Sequence, residues 1–300
     1  MSLKKIAVFK GGPSKEREVS LRTGGAIADA LRTKGYSVEE VDIQGPDFSI
    51  SSDVDFVFIA LHGTFGEDGQ IQSILDQRQI KYTGCGTHAS ALAFDKEKSK
   101  ECFKIYQVPT PQGESLRHGE KTSLRAPLVF KPACEGSSIG LEMVHQDDQI
   151  DAAFHRACQH GKIILAEKMI QGRELTVGIL NGEALPIVEI RPKTGTYDYQ
   201  NKYTAGCTEY VCPALLSEKT TQAVQSAAVK AYHALGCEVY ARVDVLIDAN
   251  ETPWVLEVNT IPGMTATSLL PKAAKAVGME FPELCEKILL FSEQKYRRNE

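Results

Sequence analysis

The chain has 300 residues, 42% hydrophobic and 24% charged, which is more than one small domain needs and enough to bury a sizeable core. Its 34 Lys and Arg against 39 Asp and Glu leave a formal net charge of -5, which excludes the basic footprint of a nucleic-acid or anionic-membrane binder. No apolar run approaches a membrane span, and the four apolar residues after the lysines in "KKIAVF" are too few for a secretory signal core.

"KIAVFKGG" opens the chain as a short apolar strand broken by glycines. A helical pattern runs from Val19 to Lys34, followed by the strand "SVEEVDI" and by "VDFVFIALHG", a continuous apolar run of the kind buried inside a parallel sheet. Alternating strands and helices predict βαβ units, so residues 1–86 read as a Rossmann-like α/β unit. One helix is expected over "SALAFDKEKSKECFKIYQV", ending before Pro109 and Pro111. A short polar linker, 113–127, leads to "APLVFKPACEGSSIGLEMV", two strands around a small-residue turn. The helix "IDAAFHRACQHG" and the strand "KIILAEKMIQG" complete an α+β unit over 87–171.

The third unit, 172–300, opens with "RELTVGILNGEALPIVEI", two strands around an Asn-Gly turn. A long polar loop (191–210), the helix "EKTTQAVQSAAVKAYHALG", a hairpin and the helix "FPELCEKILLFSEQ" follow, and the tail "KYRRNE" is expected to fray. The eight cysteines (Cys85, Cys102, Cys134, Cys158, Cys207, Cys212, Cys237 and Cys285) form no CxxC pair, which predicts free thiols in a reducing cytoplasm.

The hairpin "ARVDVLIDANETPWVLEVNT" carries the chemistry. Pairing symmetric about Asn250 and Glu251 sets Asp244 opposite Glu257 and Arg242 opposite Asn259. One face then holds Val243, Val245, Ile247, Trp254, Leu256 and Val258, all apolar and all expected in the core. The other face holds Arg242, Asp244, Glu257 and Asn259. Like charges placed opposite each other destabilise a sheet unless a cation joins them. A structural Arg–Asp–Glu cluster on an exposed face is one reading. The other is a hard, all-oxygen ligand set for Mg²⁺, which shares its shell with phosphates.

No GxxxxGK[ST] loop is present, and "GEKT" at 119–122 lacks its leading glycine. Lys131 instead lies in an apolar strand followed by "EGSSIG", whose backbone N–H groups are free to cover phosphates. The first βα turn lacks GxGxxG, which argues against a dinucleotide-dependent oxidoreductase.

"HGTFGEDGQIQS" (62–73) and "YARVDVLID…VLEVNTIPGM" resemble the two signature stretches of D-alanine–D-alanine ligases, members of the ATP-grasp superfamily. "GGPSKEREVS", "FKPACEGSSIG", "AEKMIQGRELTV" and "YDYQNKY" follow that family's order and rough spacing over nearly the whole chain. The resemblance implies a Rossmann-like domain followed by a two-domain ATP-grasp fold, which ligates two D-alanines through an acyl phosphate to make a peptidoglycan precursor.

By the same resemblance, Lys96 and Lys131 would contact ATP phosphates and Glu174 the ribose. Glu167 and the backbone of Lys168 and Ile170 would hold the adenine edge. Asp244, Glu257 and Asn259 would ligate two Mg²⁺ ions, with Mn²⁺ as a substitute and a monovalent cation as a further cofactor. Arg242 and the Gly263 backbone would stabilise the oxyanion of a tetrahedral intermediate. Glu16 would bind the ammonium of the first D-alanine, steadied by Ser137 and Tyr203, with His62 nearby. Lys202, Ser268 and the Leu269 backbone would receive the second D-alanine's carboxylate, and 191–210 would be a water-excluding lid. The resemblance also implies a cytoplasmic bacterial homodimer joined through the first domain, binding neither nucleic acid nor membrane.

Two features depart from the pattern: Met169 stands where many relatives carry tryptophan beside the adenine, and the 113–127 linker is loosely specified. Tyr203, rather than the phenylalanine of D-alanine–D-lactate ligases, favours an amide product.

Overall fold

A computed structural model describes residues 4–136, 139–193 and 208–298. Three sheets organise them. The first is parallel, in the order β2-β1-β3, from β1 (Lys5–Gly11), β2 (Ser37–Ile43) and β3 (Phe56–Ile59). β1 is central, so Ile6 to Phe9 are buried on both faces. The edge strand β2 instead sets Glu39, Glu40 and Asp42 against Lys5, Lys10 and Arg17. Helix α1 (Arg17–Thr33) starts two residues before its apolar pattern and packs Ile27, Ala28 and Leu31 on this sheet.

α2 (Gln70–Gln77) leads to α3 (Thr87–Phe94) and α4 (Lys96–Ile105). The single helix expected over 90–108 is therefore two. Asp95 is extended (φ -86°, ψ 100°), and its carboxylate accepts the Lys98 amide, so a capping aspartate starts a second helix in mid-pattern.

The second sheet is antiparallel, β4-β7-β5-β6, from β4 (Gly113–Arg117), β5 (Leu128–Pro132), β6 (Glu142–Val144) and β7 (Ile163–Lys168). The start of the expected linker is thus a strand, paired with β7 from Gly113↔Glu167 to Arg117↔Ile163. α5 (Ile150–Ala157) covers one face with Ala153, Phe154 and Ala157.

The large sheet runs β11-β10-β8-β12-β13, from β8 (Arg173–Leu180), β10 (Val188–Pro192), β11 (Thr208–Val211), β12 (Tyr240–Ile247) and β13 (Pro253–Asn259), with β9 (Glu183–Ala184) paired to β8. The Asn-Gly turn forms as expected: Asn181 (φ 52°) and Gly182 (φ 84°) both take positive φ, the type I′ requirement. α6 (Glu218–Ala234), capped by Ser217 accepting the Thr220 amide, packs Val224, Ala227, Ala228 and Ala231 on the sheet's rear face.

The hairpin keeps the expected register at Arg242↔Asn259, Val243↔Val258 and Asp244↔Glu257. Beyond it the pairing slips to Val245↔Val255, because a bulge at Leu256 inserts one residue. Val255 therefore takes the fully buried core position, while Trp254 and Leu256, expected in the core, are half-buried. The Trp254 indole N–H instead donates to Asp248.

α7 (Leu269–Lys275) and α8 (Phe281–Arg298) close the chain. The tail expected to fray stays helical through Arg298. Tyr296 meets Phe56 and Tyr82 edge-on, with ring centroids at 5.8 and 6.1 Å, and its hydroxyl accepts the Tyr82 amide. Among the described residues no helix is long and apolar enough to cross a membrane.

Candidate active site

A cavity of about 710 Å³ lies where the first sheet, α4 and the large sheet meet. It sits beyond the carboxyl ends of β1 and β3, where open parallel sheets bind ligands. Glu16 enters from the start of α1 and His62 from the turn after β3. His62 is 5% exposed and fully engaged. A carbonyl can only accept, so His62 Nδ1 carries the proton toward the Ile261 oxygen (3.1 Å), and Nε2 lies in hydrogen-bond contact with the Thr23 hydroxyl (3.1 Å). Glu67 lies 3.3 Å from Nδ1, and its carboxyl is raised above the usual range by burial, with Glu16 adding to the effect against His62. Gly63 (φ +69°) keeps this corner open, since a Cβ there would come 2.9 Å from Glu16 Oε2.

The opposite wall is the front face of the hairpin. Arg242 Nε and Nη2 each donate to Asp244 at 2.9 Å, a bidentate pair made possible because residues two apart on a strand share a face. The Thr176 hydroxyl donates to the same carboxylate at 2.6 Å. Glu257 is paired with Lys96 at 3.2 Å, and Lys96 also donates to the Glu135 carbonyl at 2.8 Å. Burial alone would lower the Lys96 ammonium, but the Glu257 carboxylate outweighs it and holds the lysine above its ordinary value. The Asn259 side-chain oxygen accepts the Ile261 amide, and Gly263 sits beside Ser268, whose hydroxyl caps the turn by accepting the Thr265 amide.

Behind this wall a second charged group is buried. Glu167 accepts from Lys100 at 2.7 Å and from Lys131 at 2.5 Å. Burial would raise the Glu167 carboxyl, but the two ammonium groups hold it at about 2. Lys100 is lowered to about 8, chiefly by burial, with Lys131 adding to the effect. A carboxyl depressed from 4.5 to about 2 contributes stability that is complete above pH 4.5 and disappears as pH falls toward 2, on the order of 3 kcal/mol in total. Glu167→Gln lacks this contribution. Wild type should therefore lose more Tm than E167Q between pH 5 and pH 3, and parallel curves from scanning calorimetry would refute the assignment.

Of the residues marked out by sequence, Glu16, His62, Lys96, Arg242, Glu257, Asn259, Gly263, Ser268 and Leu269 line the cavity together. Asp244, Lys131 and Glu167 do not line it: Asp244 shares the hairpin's front face and bonds Arg242, and Lys131 and Glu167 pair with each other behind the wall. Lys168, Ile170 and Glu174 do not line it: they lie at the end of β7, just beyond it, and near the start of β8. The Lys168 amide already donates to the Gln112 carbonyl at 2.8 Å, so that N–H is engaged within the protein. Ser137, Lys202 and Tyr203, with the 194–207 part of the polar loop, lie outside the described residues.

Sequence reasoning missed Thr23, Glu67, Lys100 and Thr176. Lys100 had one signal, its i,i+4 spacing from Lys96 on a helix whose neighbouring face is buried.

Among the described residues no three His, Cys, Asp or Glu side chains are grouped so that they could hold a metal ion by themselves. Two carboxylates and an amide oxygen share the hairpin face, however, and this incomplete oxygen set suits Mg²⁺, which takes its remaining ligands from phosphates and water. The residues fit the ion.

Comparison with known proteins places these features in a wider set. The family models described as D-ala D-ala ligase N-terminus and C-terminus match residues 44–85 and 105–290. A D-alanine–D-alanine ligase of Methylacidiphilum infernorum is 51% identical over 96% of this chain and 95% of its own length. One of Syntrophotalea carbinolica is 50% identical over 95% of each. Among solved structures, the Bacillus anthracis D-alanine–D-alanine ligase complexed with ATP superposes with a TM-score of 0.89 at 32% identity, covering 100% of both chains. The VanG D-Ala:D-Ser ligase of Enterococcus faecalis gives 0.85 at 28% identity, covering 97% of this chain and 100% of its own. The fold is an ATP-grasp fold preceded by an α/β unit.

Proposed function

The chain belongs to the D-alanine–D-alanine ligase family, and from that premise we propose how its own residues carry the ATP-dependent joining of two D-alanines. The observation that supports the assignment of roles is convergence. Glu16 and His62 come from one end of the chain and Arg242, Glu257 and Asn259 from the other, yet all line one cavity.

Glu16 pairs with the ammonium of the first D-alanine and leaves its carboxylate facing the hairpin. That carboxylate oxygen attacks the γ-phosphorus of ATP, the bond to ADP breaks, and an acyl phosphate forms. Lys96 and Lys131 neutralise the phosphates, and the residues around Glu167 receive the adenine. Asp244, Glu257 and Asn259 would hold Mg²⁺, which supplies charge neutralisation at the transferred phosphate. The amine of the second D-alanine then attacks the acyl carbon and gives a tetrahedral oxyanion. Arg242, locked by Asp244, whose carboxylate Thr176 holds in turn, is a fixed donor for that oxyanion, together with the Gly263 amide. Collapse expels phosphate, and the ammonium's surplus protons pass to solvent.

Ser268, before the first turn of α7, and the Leu269 amide face the second carboxylate. The roles of Ser137, Lys202 and Tyr203 and a homodimer through the first unit rest on resemblance, the division at residues 86 and 171 on the order of strand and helix signals along the chain, and a bacterial cytoplasmic location on resemblance together with the unpaired cysteines among the described residues.

The deciding assay is ADP release with ATP and Mg²⁺ and with D-alanine, L-alanine, D-serine or D-lactate supplied separately. D-alanine alone should support turnover, with D-alanyl-D-alanine identified by mass. Equal rates with L-alanine, or ADP release that ignores the amino acid, would overturn the reading. A mixed dipeptide made from D-alanine and D-serine together would move the chain toward the specificity named for the Enterococcus relative.

A further inference from the structure

Glu167 has two ammonium partners, one on each oxygen: Lys100 on Oε1 and Lys131 on Oε2. The two lysines are held very differently. Lys100 is 6% exposed and also bonds the Thr110 hydroxyl and the Val255 carbonyl (3.3 Å), which Thr110 itself bonds at 2.8 Å. It is therefore tied at once to α4, to the second sheet through Glu167 and to the large sheet through β13. Lys131 projects from β5, and among the described residues its ion-pair partner is Glu167.

Two ammonium groups against one carboxylate leave the buried cluster with a positive charge that Glu167 does not balance. The repulsion is visible in Lys100, which burial and then Lys131 push down, while Glu167 and the more distant Glu257 act in the opposite direction. A phosphate arriving near Lys131 would relieve the excess. It could draw Lys131 away only if Glu167 kept another counter-ion, because a buried carboxylate stripped of every partner is costly.

Building on the nucleotide role proposed for Lys131, we propose that Lys100 is a positioning residue that holds Glu167 as its permanent counter-ion and so frees Lys131 for the nucleotide phosphates. Without Lys100, Lys131 would be the sole ammonium on a buried carboxylate, and phosphate would have to compete for it.

Titration calorimetry with Mg²⁺ and either ADP or adenosine isolates the phosphate contacts. Lys100→Met should weaken ADP about tenfold or more while changing adenosine less than about threefold, because the loss acts through Lys131. In the E167Q background, where no carboxylate holds Lys131, adding K100M should leave the ADP-to-adenosine ratio within about threefold of E167Q alone. Equal weakening of both ligands by K100M would make Lys100 merely structural and overturn the proposal. A further drop in the ratio on adding K100M to E167Q would overturn it too. If K100M does not fold, the comparison of E167Q with K100M/E167Q decides alone, since both lack the unbalanced carboxylate. An unchanged ratio in Lys131→Met would instead refute the underlying role of Lys131, separating the two failures.

Discussion

Glu257→Gln is expected to abolish turnover while leaving the fold in place. Glu257 lies on the open face of β13, with its side chain 37% exposed, and it pairs with the Lys96 ammonium across the cavity wall. The substitution keeps size and shape and removes one negative charge. Two consequences reinforce each other. The oxygen set shared with Asp244 and Asn259 loses half its formal charge, so the transferred phosphate is poorly neutralised. Lys96 loses the carboxylate that holds its ammonium up against burial. Together these should raise the barrier by about 4 kcal/mol or more, roughly a thousandfold in kcat. The check is kcat beside Tm: a folded variant with near-normal kcat would remove Glu257 from the chemistry.

Arg242→Met should lower kcat by about a hundredfold or more, the usual scale for deleting a fixed oxyanion donor. Stability should also fall. The Arg242 and Asp244 side chains are 9% and 16% exposed, and removing the guanidinium strips Asp244 of its bidentate partner while the Thr176 hydroxyl still donates to it; breaking such a pair costs about 3 kcal/mol when burial is nearly complete. Arg242→Lys separates the two effects, because it keeps the charge and loses the bidentate fork. It should recover most of the Tm but only part of kcat. ATP affinity, measured by calorimetry, should change far less than kcat in both variants. If affinity collapses with kcat, Arg242 serves the nucleotide or the framework instead of the oxyanion.

The hairpin shows how far reading the chain could go. Alternation on both strands made Arg242↔Asn259 and Asp244↔Glu257 legible, because polar residues two apart must share a face. The bulge at Leu256 was not legible. Trp254, Val255 and Leu256 are all apolar, so no change in pattern marks which one is skipped. The β4 strand hid for the opposite reason. As the outer strand of its sheet it buries Leu116 and leaves its other residues half-buried or exposed, so it looks like linker. Asp95 hid within a helical pattern because a surface aspartate and a capping aspartate are the same letter until the backbone turns extended.

Sequence by itself determined the parallel sheet around β1, the apolar rear face of the large sheet, and the grouping of Arg242, Asp244, Glu257 and Asn259. These follow from local periodicity, which chain order alone encodes. Tertiary structure alone decided that His62 bonds the Ile261 carbonyl across 199 residues and that Lys100 is buried against Glu167. It also decided that Glu67 sits in a site which raises its carboxyl. Lysines and glutamates normally stay in water, so a buried one has no compositional mark. Its burial, its partner and the resulting charge state come into being only when distant segments close over it and remove the solvent.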